Sequence, residues 1–161
     1  MTTQTTDPPA TNLWKAFSVI AAALFLNNTV ALMLAPLLVG IADDFDTSVA
    51  VTGQLAAVTF FSWAIFAPLV GPFSDSFGRR LVALTGLGLM GVCILVAAFA
   101  PNFIVLMALL IGTGLGGAMI PPNSMAAISE AVPPEHKGRA IGAAQGTMQS
   151  AAVIGVPVVA V

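Results

Sequence analysis

The fold class this sequence predicts is all-α and membrane-integral, with five transmembrane helices. Three observations predict it. Of 161 residues, 58% are hydrophobic and only 7% charged, where a soluble domain carries about 25% charged residues. Such a chain has almost nothing with which to solvate a water-facing surface. The few charges cut the sequence into long uncharged runs. None of those runs alternates in polarity, as barrel strands do over about ten residues, so helices are left as the way to satisfy the backbone in lipid.

The elements follow in order. Residues 1–12 are polar, contain Pro8 and Pro9, and read as a disordered tail. The apolar run after Lys15 is too long for a signal-peptide core of about 7–15 residues. The uncharged runs are 16–42, 47–74, 81–129 and 140–161. A crossing takes about 20 residues, so the first, second and fourth runs hold one span each. The third holds two, broken at the turn-forming Ala100-Pro101-Asn102. The spans are therefore expected at about 16–41, 48–70, 81–100, 103–128 and 140–161, within one transmembrane unit over 13–161.

Lys15, Arg79, Arg80, Lys137 and Arg139 are all the Lys and Arg of the chain. Five spans put them on one side, with Asp43, Asp44 and Asp46 on the other. An excess of Lys and Arg marks cytoplasmic loops, so the N-terminus and the loops at 71–80 and 129–139 are expected to be cytoplasmic. The expected location is the cell membrane, multi-pass. Trp14 beside Lys15 suits an interfacial anchor. A net charge of −2 with scattered bases offers no nucleic-acid surface. Cys93 stands alone, which excludes an internal disulfide. His136 is the single histidine and reads as a solvated loop residue, so no metal site is expected.

The stretch Gly71-Pro-Phe-Ser-Asp75-Ser-Phe-Gly78-Arg79-Arg80 packs an acid, two glycines and two arginines into a turn between apolar runs. Gly71 and Gly78 permit close backbone approach and positive φ. Asp75 is placed to cap a helix start, whose free N–H groups and dipole favour an anion. Arg79 and Arg80 hold the turn at headgroup level. Further on, Gly112 and Gly116 share a helix face at the small-x-x-x-small spacing that lets helices approach in lipid. Gly142 and Gly146 repeat that spacing in the last span, before Gly155-Val156-Pro157.

The 71–80 stretch resembles the loop between the second and third helices of major facilitator superfamily transporters. The pattern there is Gly-x-x-x-Asp-x-x-Gly-Arg-Lys/Arg, matched at Gly71, Asp75, Gly78, Arg79 and Arg80. The resemblance implies a six-helix N-terminal half, of which these five spans would be part. It also implies a charge network through Asp75 and Arg79, with Asp75 meeting a helix of the second half in the outward-open state. The stretch from Glu130 to Arg139, with its Pro133-Pro134 and terminal Gly138-Arg139, resembles the family's loop between helices four and five. Glu130 would there join the arginine of the first loop; a solvated charge is the alternative. Family members often carry an arginine in helix four where this chain has Leu110. Gly155-Val156-Pro157 resembles the fifth-helix motif of drug and sugar exporters, without the usual adjacent Gly-Pro.

No Asp, Glu, Lys, Arg or His lies within the five spans, so no proton relay of membrane carboxylates is visible in them. No cofactor is expected. Proton coupling, as antiport, would use residues of a missing second half. The polar groups in the spans are amides and hydroxyls. Asn27 and Asn28 sit mid-span in the first helix, and Gln145 and Gln149 share a face of the last at i, i+4. Family members bind solute near the midplane, lined partly by the first and fifth helices. Asn28 and Gln149 foremost, then Asn27 and Gln145, are therefore expected to face that cavity, with inter-helix hydrogen bonding as the alternative. Met33, Phe60, Phe61, Trp63, Met107 and Met119 would suit a hydrophobic or amphipathic solute.

The expected function is transport of a small drug-like or sugar-like solute by alternating access, in the outward direction. The expected partners are the lipid bilayer, the solute and the missing second half, since Val161 falls inside an apolar run. A five-span membrane scaffold or interaction subunit is the second reading. A membrane enzyme is the third, and the chain carries no nucleophile, base or metal cluster for it.

Overall fold

The computed structural model describes residues 10–155, and the side-chain surroundings of 17–154. It is helical, with no strand among the described residues. The helices are α1 (Ala10–Asp44), α2 (Val49–Phe77), α3 (Arg79–Ala97), α4 (Phe103–Ala118), α5 (Ile120–Ala131) and α6 (Lys137–Ser150). A 3-10 turn, Pro134–His136, leads into α6, and a π-type turn, Ala151–Gly155, follows it.

Among the described residues, four stretches are long and apolar enough to cross a bilayer: Phe17–Asp44, Val49–Phe77, Arg79–Ala97 and Phe103–Ala131. The fourth comprises α4 and α5. The expected fifth span, 140–161, is described only as far as 155, and Val156–Val161 lie outside the described residues. Residues 1–9 of the expected tail lie outside them too. Ala10–Asn12, expected in the tail, instead form the start of α1.

The helices outrun the uncharged runs. α2 has 29 residues, about 44 Å of helix at 1.5 Å per residue. A bilayer with its headgroup regions is about 40–45 Å thick. The first charge in the sequence therefore marks entry into the headgroup region and not the end of the helix. This is why α1 continues to Asp44 and α2 to Phe77, past the expected limits at 41 and 70. At the end opposite the arginines the starts are capped. Ser48 Oγ accepts from the Val51 N–H at 3.3 Å, and Asn102 Oδ1 from the Val105 N–H at 2.9 Å. Phe45 and Phe103 meet edge to face there, 6.2 Å between ring centres.

The span expected at 103–128 is broken at Met119. Pro121 and Pro122 have no N–H to offer the carbonyls of Gly117 and Ala118, and their rings crowd that turn. The Met119 N–H bonds to the Gly116 carbonyl at 3.2 Å, a tighter turn than the α-helix. α5 then restarts with proline in its first turn, where no donor is needed.

α4 lies between α2 and α3 and packs on both. A Cβ added to Gly116 would sit 2.6 Å from the Gly86 carbonyl oxygen and 2.8 Å from the Met90 nitrogen; one on Gly86 would sit 2.7 Å from the Gly116 oxygen. The two helices thus touch backbone to backbone. Gly114 likewise lies against the α2 backbone at the Thr59 oxygen, with Ser62 Cβ beside it, while Gly112 lies against the Cys93 side-chain sulfur of α3. Helix association in lipid rests on such close contact, since lipid tails compete equally for apolar surface. Gly142 and Gly146 do not take the expected role: nothing among the described residues lies within 4 Å of a Cβ built on either.

Leu24, Met90, Ile120, Ile128 and Ala144 form the core toward the arginine end, and Leu34, Leu55, Leu106 and Leu110 the core toward the other. Outside these, Phe61, Leu95, Phe99 and Ile104 are all exposed, an apolar rim suited to lipid. The chain is a multi-pass membrane protein.

Candidate functional site: a charged helix end and a polar cleft

Gly78 alone makes the reversal between α2 and α3. Its φ of +88° lies in the region that disfavours a Cβ, and its N–H bonds to the Ser74 carbonyl at 3.0 Å. Gly71, expected to share that role, lies inside α2 with nothing within 4 Å of a built Cβ. Its place two turns before the helix end leaves it no part in the turn. Asp75 does not cap α3 as expected. It occupies the last turn of α2, and the N-cap position is Gly78, with no side-chain cap bond.

Arg79, the first residue of α3, gathers the charges. Its Nη2 lies 3.9 Å from Asp75 Oδ1, and its Nη1 pairs with Glu130 Oε1 near the end of α5. Nη1 is shut off from solvent and makes no hydrogen bond among the described residues, so the contact is an ion pair. The Arg79 side chain is 33% exposed, against 74% for Asp75 and 65% for Glu130. One guanidinium therefore ties together the ends of α2, α3 and α5. A carboxylate at a helix C-terminus is disfavoured by the dipole, and the Arg79 charge offsets that. Arg80 and Arg139 are exposed, and neither forms an ion pair among the described residues.

A second link at this end was not read from the sequence. Ser74 Oγ donates to Asn123 Oδ1, and Asn123 Nδ2 donates to the Met119 carbonyl at 2.6 Å; both residues are buried. The pair joins α2, one residue before Asp75, to α5 just past the proline break. The available signal was an asparagine following Pro121-Pro122 in an apolar run, since a buried amide there needs a partner.

Near the midpoints of the long helices lies a small cleft. Asn27, Asn28, Thr59, Phe60, Trp63 and Thr113 are among its lining residues, and its free volume is about 60 Å³. Asn27 is buried, with its Oδ1 against Gly117. Asn28 Nδ2 donates to the Met148 carbonyl of α6 at 2.7 Å, so it both lines the cleft and bonds between helices. Gln145 and Gln149 do not join them. Both are exposed, and neither lines the cleft among the described residues. Phe60 and Trp63 line it as expected of the apolar set, whereas Phe61 is 69% exposed. Met107 and Met119 pack in separate apolar clusters. Gly155 ends the π-type turn, and Pro157 lies outside the described residues. Sites for drug-sized ligands enclose about 300–1,000 Å³, several times the volume of this cleft.

A profile of the Major Facilitator Superfamily matches residues 20–161. The chain belongs to that family. It is 28% identical over 146 residues to the uncharacterized MFS-type transporter YceJ of Bacillus subtilis, a match covering 91% of this chain and 36% of the relative. It is 36% identical over 132 residues to the multidrug efflux pump LfrA of Mycolicibacterium smegmatis, covering 79% and 25%. With the niacin transporter NiaP of Acinetobacter baylyi it shares 31% identity over 111 residues, covering 68% and 25%. These matches span between 25% and 36% of the relatives' own length. The family points to a transporter rather than an enzyme.

Proposed function

We propose that this chain is the five-span N-terminal portion of a secondary transporter, one that exports a small drug-like or sugar-like solute by rocking two halves about a midplane site. The observation that carries the reading is the Arg79 cluster. It unites three helix ends through Asp75 and Glu130, on the residues of the family's loop pattern. Asp75 is 74% exposed with only a 3.9 Å contact, which leaves its carboxylate available to a helix of a second half. The cleft at Asn27, Asn28 and Trp63 would be completed by that half. The basic residues favour a cytoplasmic N-terminus in the cell membrane. Export is supported by the relative named as a multidrug efflux pump and by the Gly155-Val156-Pro157 resemblance. Coupling to protons, by antiport, would use groups beyond these spans.

The test is the size and activity of the native gene product. An antibody to the Met1–Asn12 segment is expected to detect a membrane protein more than twice the 16.3 kDa of this chain. Cells lacking it are expected to accumulate solutes that producing cells expel. A product of 16.3 kDa with no effect on accumulation would favour a scaffold subunit instead.

A further inference from the structure

A groove at the arginine end joins an apolar trough to two basic groups. It lies between α1, α5 and α6 and has a free volume of about 450 Å³. Apart from His136 and Arg139, every residue that lines it is apolar. Phe17 and Ile20 of α1 form one wall, and alanines of α5 and α6, Ala143 among them, leave the space between unfilled. His136 and Arg139 are both exposed, and neither forms an ion pair among the described residues. Glu135 and Lys137, their neighbours in sequence, do not line the groove. No acid stands in the first turn of α6, which has no side-chain cap bond, so the helix dipole adds to the positive potential there. From Arg139 to Ala143 the groove descends one turn of α6, about 6 Å, from the charged helix ends toward the apolar zone.

We propose that this groove is a site for an anionic phospholipid of the surrounding bilayer, its phosphate on Arg139 and His136 and the upper part of one acyl chain in the trough. Basic pockets between transmembrane helices hold lipid headgroups in this way. The planar guanidinium of Arg139 matches two phosphate oxygens at once, and an imidazole offers an N–H in either protonation state. A choline headgroup would set a second cation beside Arg139, so a net negative lipid is favoured. A soluble anion would use the basic groups and leave the trough unfilled. The proposal is independent of the solute and direction of transport.

The test uses the full-length protein in detergent, with bound lipid counted by native mass spectrometry. The probes are dioleoyl phosphatidylglycerol, dioleoyl phosphatidylcholine with the same chains, and glycerol phosphate, which has no chains. One phosphatidylglycerol is expected to be retained saturably and in preference to phosphatidylcholine. Arg139→Gln is expected to weaken it on the order of fivefold, the factor one basic residue supplies at an anionic headgroup. Arg80→Gln removes an exposed charge outside the groove and is expected to leave retention unchanged. Ala143→Leu fills the trough without touching the basic groups and is expected to lower retention as well. Equal retention of the two lipids, equal effects of Arg139→Gln and Arg80→Gln, or full competition by glycerol phosphate would each overturn the proposal. So would the absence of bound lipid, which would mean that another part of the full-length protein covers the groove.

Discussion

Arg79 at the start of α3 pairs with Glu130 near the end of α5, across fifty-one positions of sequence. The same guanidinium lies 3.9 Å from Asp75 in the last turn of α2. Exposed ion pairs contribute only about 0–1 kcal/mol to stability, and both carboxylates here are mostly exposed. The cluster is thus better suited to biasing one arrangement of helix ends than to holding the fold. Glu130→Gln is expected to leave the melting temperature of the purified protein within a few degrees of wild type, while lowering solute flux. Exchanging the charges, Arg79→Glu with Glu130→Arg, is expected to recover part of that flux. A double variant no better than the single one would show that the pair itself is not what matters.

The glycine crossing of α3 and α4 predicts a contrast between positions that look alike in sequence. A methyl on Gly116 meets backbone atoms at 2.6 and 2.8 Å, whereas one on Gly142 meets nothing within 4 Å. Overpacking of this kind costs about 1–3 kcal/mol, and glycine in an open helix position is about 1 kcal/mol worse than alanine. Gly116→Ala is expected to lower the melting temperature and the membrane level. Gly142→Ala is expected to leave both unchanged or raise them. Thermal melts followed by fluorescence-detected size exclusion measure this directly.

The buried Ser74–Asn123 link predicts a stability effect where the exposed charges do not. Asn123→Ala removes the acceptor for Ser74 and the donor for the Met119 carbonyl. Stranding buried polar groups costs about 1–3 kcal/mol. The variant is expected to melt clearly below wild type, and below Glu130→Gln in the same assay. Equal melting of the two variants would contradict the assignment.

The four long crossings were legible in the sequence because charge is expensive in lipid and appears only near the ends of the runs. The helix limits were not, since α2 runs on through Gly71 and Asp75 to Phe77 where the bilayer is already polar. The break at Met119 is carried by Pro121 and Pro122 and not by charge, so dividing the uncharged run at Pro101 alone does not reveal it. The i, i+4 spacing of Gln145 and Gln149 puts them on one face of a helix. Spacing cannot say which way a face points, and theirs turns out to be exposed. Gly112 and Gly116 were picked by spacing, as were Gly142 and Gly146, and only the partner helix distinguishes them. The Ser74–Asn123 link arises from a contact between distant segments that no local pattern carries.

Asp75, set beside Arg79, is proposed as a working part of a transport cycle. It is tested most directly by solute flux through the full-length protein in vesicles, comparing wild type with Asp75→Asn at equal membrane level. A loss of at least about tenfold in initial rate is expected, the size of a typical coupling free energy between conformations, with the melting temperature unchanged. Equal rates would contradict it and leave the 71–80 segment as a signal of membrane topology alone.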